Sequence, residues 1–246
     1  MDKKINVTVW NEFVGEKESE AIRAVYPDGI HNAITGFLRK NENIGLLRTA
    51  TLDMPEHGLT DEVLNTTDVL VWWGHTAHHL VSDEIIDKAV KRVIAGMGFI
   101  ALHSSHASKI FSRLMGTDTH RLRWRESDEC ERVWVIDRTH PITKGLGEYI
   151  DIKETEMYGE RFGIPKPDDI VFISWYNGGE IFRSGCTFKR GFGKIFYFSP
   201  GHESCPIYYM PEIQTVINNA VEWANPICYP DFGQSHVETH MPLPGR

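Results

Sequence analysis

The stretch GMGFIALHSSHASKIF, residues 96–111, contains the transition that decides the fold. Residues 99–102 are an apolar run typical of a buried strand, and the run ends abruptly at the polar tetrapeptide HSSH, 103–106. Apolar residues then return at helical spacing over 107–111. A strand that passes through a tight turn into a helix is a building unit of α/β folds, and such an elbow is where many α/β enzymes present a nucleophile. This elbow offers two histidines and two serines but no cysteine.

Strands and helices alternate on both sides of the elbow. Apolar runs predict strands at residues 5–10, 44–51, 68–73 and 193–198, and apolar periodicity predicts helices at 17–25, 30–40, 83–94 and 211–223. Ser82 followed by Asp83 and Glu84 is a typical helix start. The alternation predicts an α/β fold with a mostly parallel central sheet and right-handed crossovers.

The middle of the chain has a different pattern. Residues from about 121 to 190 contain β-type segments at 131–136, 149–154, 171–176 and 181–188 with little helical periodicity. We interpret this part as an antiparallel β insertion that extends the sheet of a single domain spanning residues 1–246. Residues from about 226 to 246 carry several prolines and glycines, which predicts an extended tail that could reach a partner subunit of a homo-oligomer.

Composition excludes several classes of protein. A net charge of −8 lacks the basic surplus with which general nucleic-acid binders neutralise phosphates. No apolar stretch approaches the ~20 residues of a membrane span, and Met1–Lys4 lead into a strand without a hydrophobic leader. The four cysteines are widely spaced, which fits a reducing interior. We therefore expect a cytoplasmic protein that binds neither nucleic acid nor membranes.

Polar residues follow the ends of the predicted parallel strands. In open α/β sheets, ligands bind outside the carboxyl ends of these strands. The polar residues found there are Asn11, Glu12, His75, His103, His202 and Glu203. Their delivery to one edge of the sheet is the main functional signal in the sequence, and we expect a site there.

Two chemistries fit these residues. In the first, His103 and His202 act as acid/base catalysts with Glu203 or Glu156 as the carboxylate. In the second, a divalent metal, zinc or another ion, is held by imidazoles, for which the candidates are His31, His75, His103 and His202. No nucleotide cofactor is expected.

Some residues near these strand ends suit a sugar ligand. Tryptophans fall there, and their faces suit sugar rings, although tryptophan in a strand is usually part of the core. Glu156 and Tyr158 would share one face of a strand, which makes them candidates for binding sugar hydroxyls or for acid/base catalysis. The candidate substrate-binding residues are Trp10, Asn11, Glu12, Trp73, His75 and Tyr158.

Many short segments resemble, in order, the trehalose-utilisation (ThuA-like) family. They are VWNE at 9–12, YPDGIH at 26–31, WWGH at 72–75, ALHSSHASK at 101–109, LMGT at 114–117, HPI at 140–142, EMYGE at 156–160, FRSGC at 182–186 and PGHE at 200–203. The resemblance implies a flavodoxin-like, three-layer α/β sandwich related to class I glutamine amidotransferases. It also implies a role in the catabolism of trehalose-type disaccharides or their oxidised derivatives.

The resemblance also shows where this chain departs from the amidotransferases. Their elbow cysteine works with a late His-x-Glu pair, whereas His103 stands at the elbow here and His202 is followed directly by Glu203. A thioester cannot form without the thiol, so no glutaminase activity is expected. Two alternatives remain: an enzyme that uses the histidine cluster, and a non-catalytic sugar- or partner-binding protein on the same fold.

Overall fold

The structure is a computed structural model that describes residues 3–227, 229 and 244. Its strands are β1 (Ile5–Asn11), β2 (Ile44–Thr51), β3 (Val69–Trp73), β4 (Gly98–Leu102), β5 (Arg123–Val135), β6 (Tyr149–Gly159), β7 (Asp169–Tyr176), β8 (Ile181–Arg190) and β9 (Gly193–Phe198). Its helices are α1 (Gly15–Glu18), α2 (Glu20–Val25), α3 (Ile30–Leu38), α4 (Asp61–Thr66), α5 (Asp83–Ile94), α6 (Lys109–Met115) and α7 (Pro211–Ala224). The predicted tail falls almost entirely outside the described residues.

All nine strands form one sheet in the order β2-β1-β3-β4-β9-β8-β7-β5-β6. The neighbours from β2 to β9 pair in parallel, and those from β9 to β6 pair antiparallel. The α/β class is therefore confirmed, but the prediction of a mostly parallel sheet is wrong. The antiparallel strands are the longer ones: β5 has 13 residues, whereas β3 and β4 have five each.

Helices lie against both faces of the parallel half. Along β3, Val69 and Val71 belong to one hydrophobic cluster and Leu70 to another, because successive side chains of a strand point to opposite faces. The first cluster includes apolar residues of α3 and α7, and the second includes those of α5 and α6. Every residue of β3 and β4 is buried, as expected for strands covered on both faces. The flavodoxin-like, three-layer arrangement and the relation to amidotransferases stay predictions.

Most predicted elements form, with local differences. In place of the helix expected at 17–25 there are two short helices, separated at Ser19. The extended backbone of Ser19 ends α1, and its hydroxyl caps the start of α2. Helix α4 was not expected, and β5 begins eight residues earlier than the predicted 131. Within the described residues, no helix combines the length and apolarity needed to cross a membrane.

Candidate metal centre and active site

The elbow after β4 places His103 at the edge of the sheet. Residues His103–Ala107 form a 3₁₀ turn, and α6 follows at Lys109, with Ser108 capping it through a hydrogen bond from Phe111 N–H. His103 has φ = +52°, a left-handed conformation that non-glycine residues adopt rarely and mostly at constrained or functional positions. The predicted elbow is present, and a histidine occupies its tip.

Three histidines from three strand ends form a nearly equilateral triangle. His75 follows β3, His103 follows β4 and His202 follows β9. Their ring centroids lie 5.8 Å (His75–His103), 5.8 Å (His75–His202) and 5.4 Å (His103–His202) apart. These strands end at the same edge of the sheet because they run parallel. The structure therefore brings the three histidines together at that edge.

Each of the three rings is held through its Nδ1 atom. His75 Nδ1 lies 2.5 Å from Glu203 Oε1, and His202 Nδ1 lies 2.7 Å from the Ser204 hydroxyl. His103 Nδ1 is 3.0 Å from the carbonyl oxygen of Ser199, and because a carbonyl only accepts, this nitrogen carries the proton. Held in this way, the rings direct their Nε2 atoms away from these partners.

A carboxylate completes the group. Glu156 of β6 places Oε2 3.3 Å from His103 Nε2. His75, His103, Glu156 and His202 each offer one ligand atom, and the four atoms lie within 4.8 Å of one another. Glu156 Oε2 and His202 Nε2 are buried and without a hydrogen-bond partner. Buried polar groups are seldom left unpaired, so these atoms require an explanation.

The electrostatics of the group depend on burial and on the two carboxylates. Burial lowers the pKa of His202 to about 4, with a further lowering by the charge of His103. Burial opposes ionisation of Glu203, but the hydrogen bond and charge of His75 outweigh it and lower the pKa of Glu203 to about 2. For His75 burial lowers the pKa, yet the bond to Glu203 prevails and the net pKa is raised. At neutral pH, His202 is therefore neutral and Glu203 ionised.

Aromatic rings fix the plane of His103. Trp73 lies on one side, nearly parallel with an interplanar angle of 15°, and Tyr158 is also nearly parallel to it, at 12°. The Tyr158 hydroxyl is 2.6 Å from Ser104 Oγ and 3.4 Å from His103 Nε2. Trp73 Nε1 donates to the carbonyl of Gly201, which ties β3 to the loop that carries His202.

Glu12 and Asn11 lie nearby in supporting positions. Both Glu12 oxygens accept backbone N–H groups, from Thr76 and Ala77, so this carboxylate holds the loop that begins with His75. Asn11 Nδ2 is 2.7 Å from Glu16 Oε1 and 3.0 Å from His31 Nδ1.

His31 and Trp10 have other partners. The structure does not bring His31 into the four-residue group, since its Nδ1 is bonded to Asn11 and its ring packs edge-on against Phe13. Glu156 joins the three remaining predicted ligands instead. Trp10 is buried, stacks on Trp72 at 3.8 Å and donates its N–H to the carbonyl of His57, which makes it a core residue.

Several residues of the site were missed by sequence reasoning. Ser204 directly follows Glu203 and had no signal beyond that adjacency, and the role of Ser199 is carried by its backbone carbonyl, which no sequence pattern reveals. Glu126 of β5 reaches to 3.8 Å from His202 Nε2. Glu131, also on β5, is fully buried and hydrogen-bonded to Ser174 and Tyr176.

A separate cavity of about 430 Å³ lies on the antiparallel half, between β5, β6 and β7. Its lining includes Arg132, Asp151 and Trp175 but none of the four grouped residues. This cavity and the cluster of titratable groups therefore do not coincide. The cluster is the stronger candidate site, because three oriented histidines and unpaired buried atoms are more specific than an open surface hollow.

Solved structures share this fold at low sequence identity. A ThuA-like protein from Parabacteroides merdae is 15% identical, with a TM-score of 0.68 and 90% of each chain covered. A cytoplasmic protein of Salmonella typhimurium is 13% identical, with a TM-score of 0.59, 90% of this chain covered and 100% of the other. A β-galactosidase from Bacillus circulans sp. alkalophilus is 11% identical, with a TM-score of 0.55, and the match covers 90% of this chain and 32% of that enzyme.

The sequence comparisons assign the family. No curated protein matches the sequence significantly. The family model described as trehalose utilisation (ThuA) matches residues 6–224, which include the four grouped residues and every strand except the first residue of β1. The chain therefore belongs to the trehalose-utilisation (ThuA) family.

Proposed function

We propose that the protein is a metal-dependent enzyme of carbohydrate catabolism, acting on a trehalose-type disaccharide or its oxidised derivative. His75, His103, His202 and Glu156 would hold the divalent ion. One observation carries the proposal: three histidines have their Nδ1 atoms held by outer partners while their rings and Glu156 present ligand atoms to one point. Metal-binding histidines are typically oriented in this way.

The donor set fits a transition metal. Imidazole and carboxylate together suit zinc, iron, nickel and similar ions, and neutral His202 offers a lone pair without losing a proton first. Binding at His202 Nε2 would place the ring proton on Nδ1, where the Ser204 hydroxyl oxygen 2.7 Å away can accept it, and the 3.3 Å hydrogen bond that the Ser204 backbone N–H donates to Nδ1 would then be given up. The unpaired Glu156 Oε2 and His202 Nε2 would both gain a partner.

The surrounding residues support acid/base chemistry on hydroxyls. A bound divalent ion would supply a water of pKa near 7 or polarise a sugar oxygen. Four protein ligands leave room for water or substrate only at coordination number five or six. Tyr158 has its hydroxyl 3.4 Å from His103 Nε2, and burial together with the charge of Glu156 raises its pKa, so it remains a protonated donor. Glu203, ionised, fixes His75.

Carbohydrate as the substrate class is supported by the family, which is described as trehalose utilisation. His103 at the elbow supports the absence of glutaminase activity, because no thiol stands where the thioester would form. We also propose a cytoplasmic location, a small-molecule substrate and a homo-oligomeric state, in line with the composition of the chain.

Metal analysis of the purified protein tests the proposal. After reconstitution with Zn²⁺, Mn²⁺, Fe²⁺, Co²⁺ or Ni²⁺ and dialysis, we expect about one ion per chain for at least one metal. His202→Ala should weaken its affinity at least tenfold, as should Glu156→Gln. His79→Ala is the matched control, because His79 is an exposed histidine of the same loop region outside the group. Turnover of trehalose and of its keto derivative should follow metal content.

A non-catalytic binding protein is the second candidate, favoured by the lack of a cysteine at the elbow. It predicts sugar or partner binding without turnover, whatever metal is supplied. Equal metal content in wild type, His202→Ala and His79→Ala would contradict the metal centre.

A further inference from the structure

The first part of β5 presents an unusually exposed tryptophan beside the histidine cluster. Trp124 is 64% exposed, whereas Trp10, Trp72 and Trp73 are buried. A buried aromatic side chain removes about 150–250 Å² of surface from solvent, and this burial stabilises the fold. An indole ring that stays in water does not contribute this stabilisation. Tryptophan is enriched at binding interfaces, where one part of the ring system is covered and the other stays in water.

Strand pairing places Trp124 on the face of the sheet that carries the site. Trp124 stands directly opposite Tyr158 of β6 in the antiparallel register. Side chains of directly opposed residues lie on the same face, with Cβ atoms about 4.5–5.5 Å apart. Tyr158 packs on His103, so Trp124 is the cross-strand neighbour of a residue in contact with the cluster.

The part of β5 that follows Trp124 also approaches the site. Glu126 reaches to 3.8 Å from His202 Nε2. The pairing of β5 with β6 is irregular between Arg125 and Glu129, so Glu126 does not fix the direction of the Trp124 side chain. That direction is inferred from the pairing of Trp124 with Tyr158.

We infer that Trp124 is the stacking platform for the second sugar ring of a disaccharide whose first ring lies at the histidine cluster. This inference rests on the proposed function. A pyranose ring has an apolar C–H face that fits an indole and a rim of hydroxyls that need acceptors. Glu126, a 63% exposed carboxylate at the same edge, supplies an acceptor for those hydroxyls.

The segment of β5 that carries Trp124 is anchored by the side chain of Arg125. Arg125 donates from Nε to Glu129 (2.7 Å) and from Nη1 to Glu180 (2.8 Å), which anchors this part of β5 to the turn before β8. A binding surface whose backbone needs little ordering loses less of its contact energy on binding. Because Trp124 lies outside the cluster that would hold the first ring, it should affect binding of two-ring substrates and leave one-ring substrates almost unaffected.

The test compares Trp124→Ala and Trp124→Phe with Trp175→Ala. Trp175 is the matched control, since it is 52% exposed on the same sheet but stands opposite Arg132, beside the separate cavity. Binding of trehalose and of glucose is measured by calorimetry on the metal-loaded full chain, and KM and kcat wherever turnover is found. We expect Trp124→Ala to weaken trehalose binding at least tenfold and to leave glucose binding within twofold. Trp124→Phe should restore most of the loss, and Trp175→Ala should behave as wild type.

The outcomes separate this inference from the proposed function. Equal trehalose affinity in Trp124→Ala and Trp175→Ala would overturn the platform even if wild type holds metal and turns over sugar. A parallel loss for glucose and trehalose would also overturn it, because the ring at the cluster would then be the one affected. Absence of metal and of turnover, with tryptophan-dependent trehalose binding retained, would overturn the metal enzyme and leave the platform standing.

Discussion

His103 and Gly201 approach each other closely at the edge of the sheet, and each has a backbone conformation that the site requires. His103 has φ = +52°, which turns its ring from the end of β4 toward His75 and His202. Gly201 has φ = +146°, and a Cβ there would lie 2.0 Å from the Tyr208 hydroxyl and 3.3 Å from His103 Cβ. The loop before His202 can therefore pass the elbow only if residue 201 has no side chain.

Gly201→Ala should destabilise the protein by more than a change of backbone freedom alone. Gly116, with φ = +68° and open space around its Cβ direction, is the control for alanine in a left-handed conformation. We expect Gly116→Ala to lower the free energy of unfolding by about 1–2 kcal/mol. Displacement of Tyr208 should add about 1–3 kcal/mol for Gly201→Ala. Urea denaturation measures both, and equal losses would show that the loop relaxes without strain.

Glu203→Gln should weaken metal binding without removing a ligand. The ionised carboxylate accepts from His75 Nδ1 at 2.5 Å and favours the orientation in which the other ring nitrogen faces the cluster. A neutral amide can also donate, so it no longer fixes which nitrogen carries the proton. Loss of such an outer carboxylate typically lowers metal affinity 10–100-fold. Competition titration with a chelating dye gives the constant, and Glu148→Gln, at an exposed position, is the control.

At the scale of elements, β5 carries a buried acid whose titration should be visible in stability. Burial raises the pKa of Glu131 from 4.5 to about 7, and hydrogen bonds from Ser174 and Tyr176 only partly oppose it. The folded state then binds more protons than the unfolded state between these values. The free energy of unfolding therefore falls as the pH rises from about 4.5 to about 7. Above about pH 7 the stabilisation that comes from the protonated Glu131 carboxyl is lost completely.

Glu131→Gln should remove this decline. At each pH the free energy of unfolding of the variant is compared with that of wild type. Between pH 4 and pH 8 this difference should shift in favour of the variant by up to about 3 kcal/mol. Urea denaturation at a series of pH values measures the change, with Glu148→Gln expected to keep the slope of wild type. A variant whose curve runs parallel to wild type from pH 4 to 8 would show that Glu131 is ionised at low cost.

Strand β5 also shows what the sequence could and could not predict. Its second half, 131–135, alternates the buried Glu131, Val133 and Val135 with the half-buried Arg132 and Trp134, and its β-type composition predicts a strand. Its first half, 123–129, is almost entirely polar and exposed, which locally resembles a solvated loop. It is a strand because of pairing with β6, and such non-local pairing leaves no local pattern. Glu126 was therefore missed.

The position of the candidate site at the edge of the parallel half is easier to predict than the set of residues that form it. Buried apolar strands followed by histidines fix where His75, His103 and His202 lie, because parallel strands end together. His31 was expected among the ligands since α3 begins at the same edge, but Asn11 holds its ring. Glu156 comes from the antiparallel half, whose position against the cluster depends on the β9–β8–β7–β5–β6 order. That order cannot be read from local periodicity.

For the whole molecule, the four grouped residues connect the two halves of the sheet. His75, His103 and His202 follow parallel strands, and Glu156 lies on β6, at the far end of the antiparallel strand order. An ion bound to all four would therefore cross-link the parallel and antiparallel parts. Such an ion binds the folded chain and not the unfolded one, in which the ligands lie far apart in sequence.

Saturation with the preferred metal should therefore raise the melting temperature of the entire protein in one transition. At a free concentration of 100 times Kd the gain is about 2.7 kcal/mol, which for a chain of 246 residues corresponds to a rise of about 5–10 °C. Differential scanning calorimetry on metal-loaded and chelator-treated protein measures it. His202→Ala should lose most of the rise and His79→Ala should keep it. If the metal instead stabilised only one of two separate transitions, the ion would be held within one half of the sheet, and Glu156 would not be a ligand.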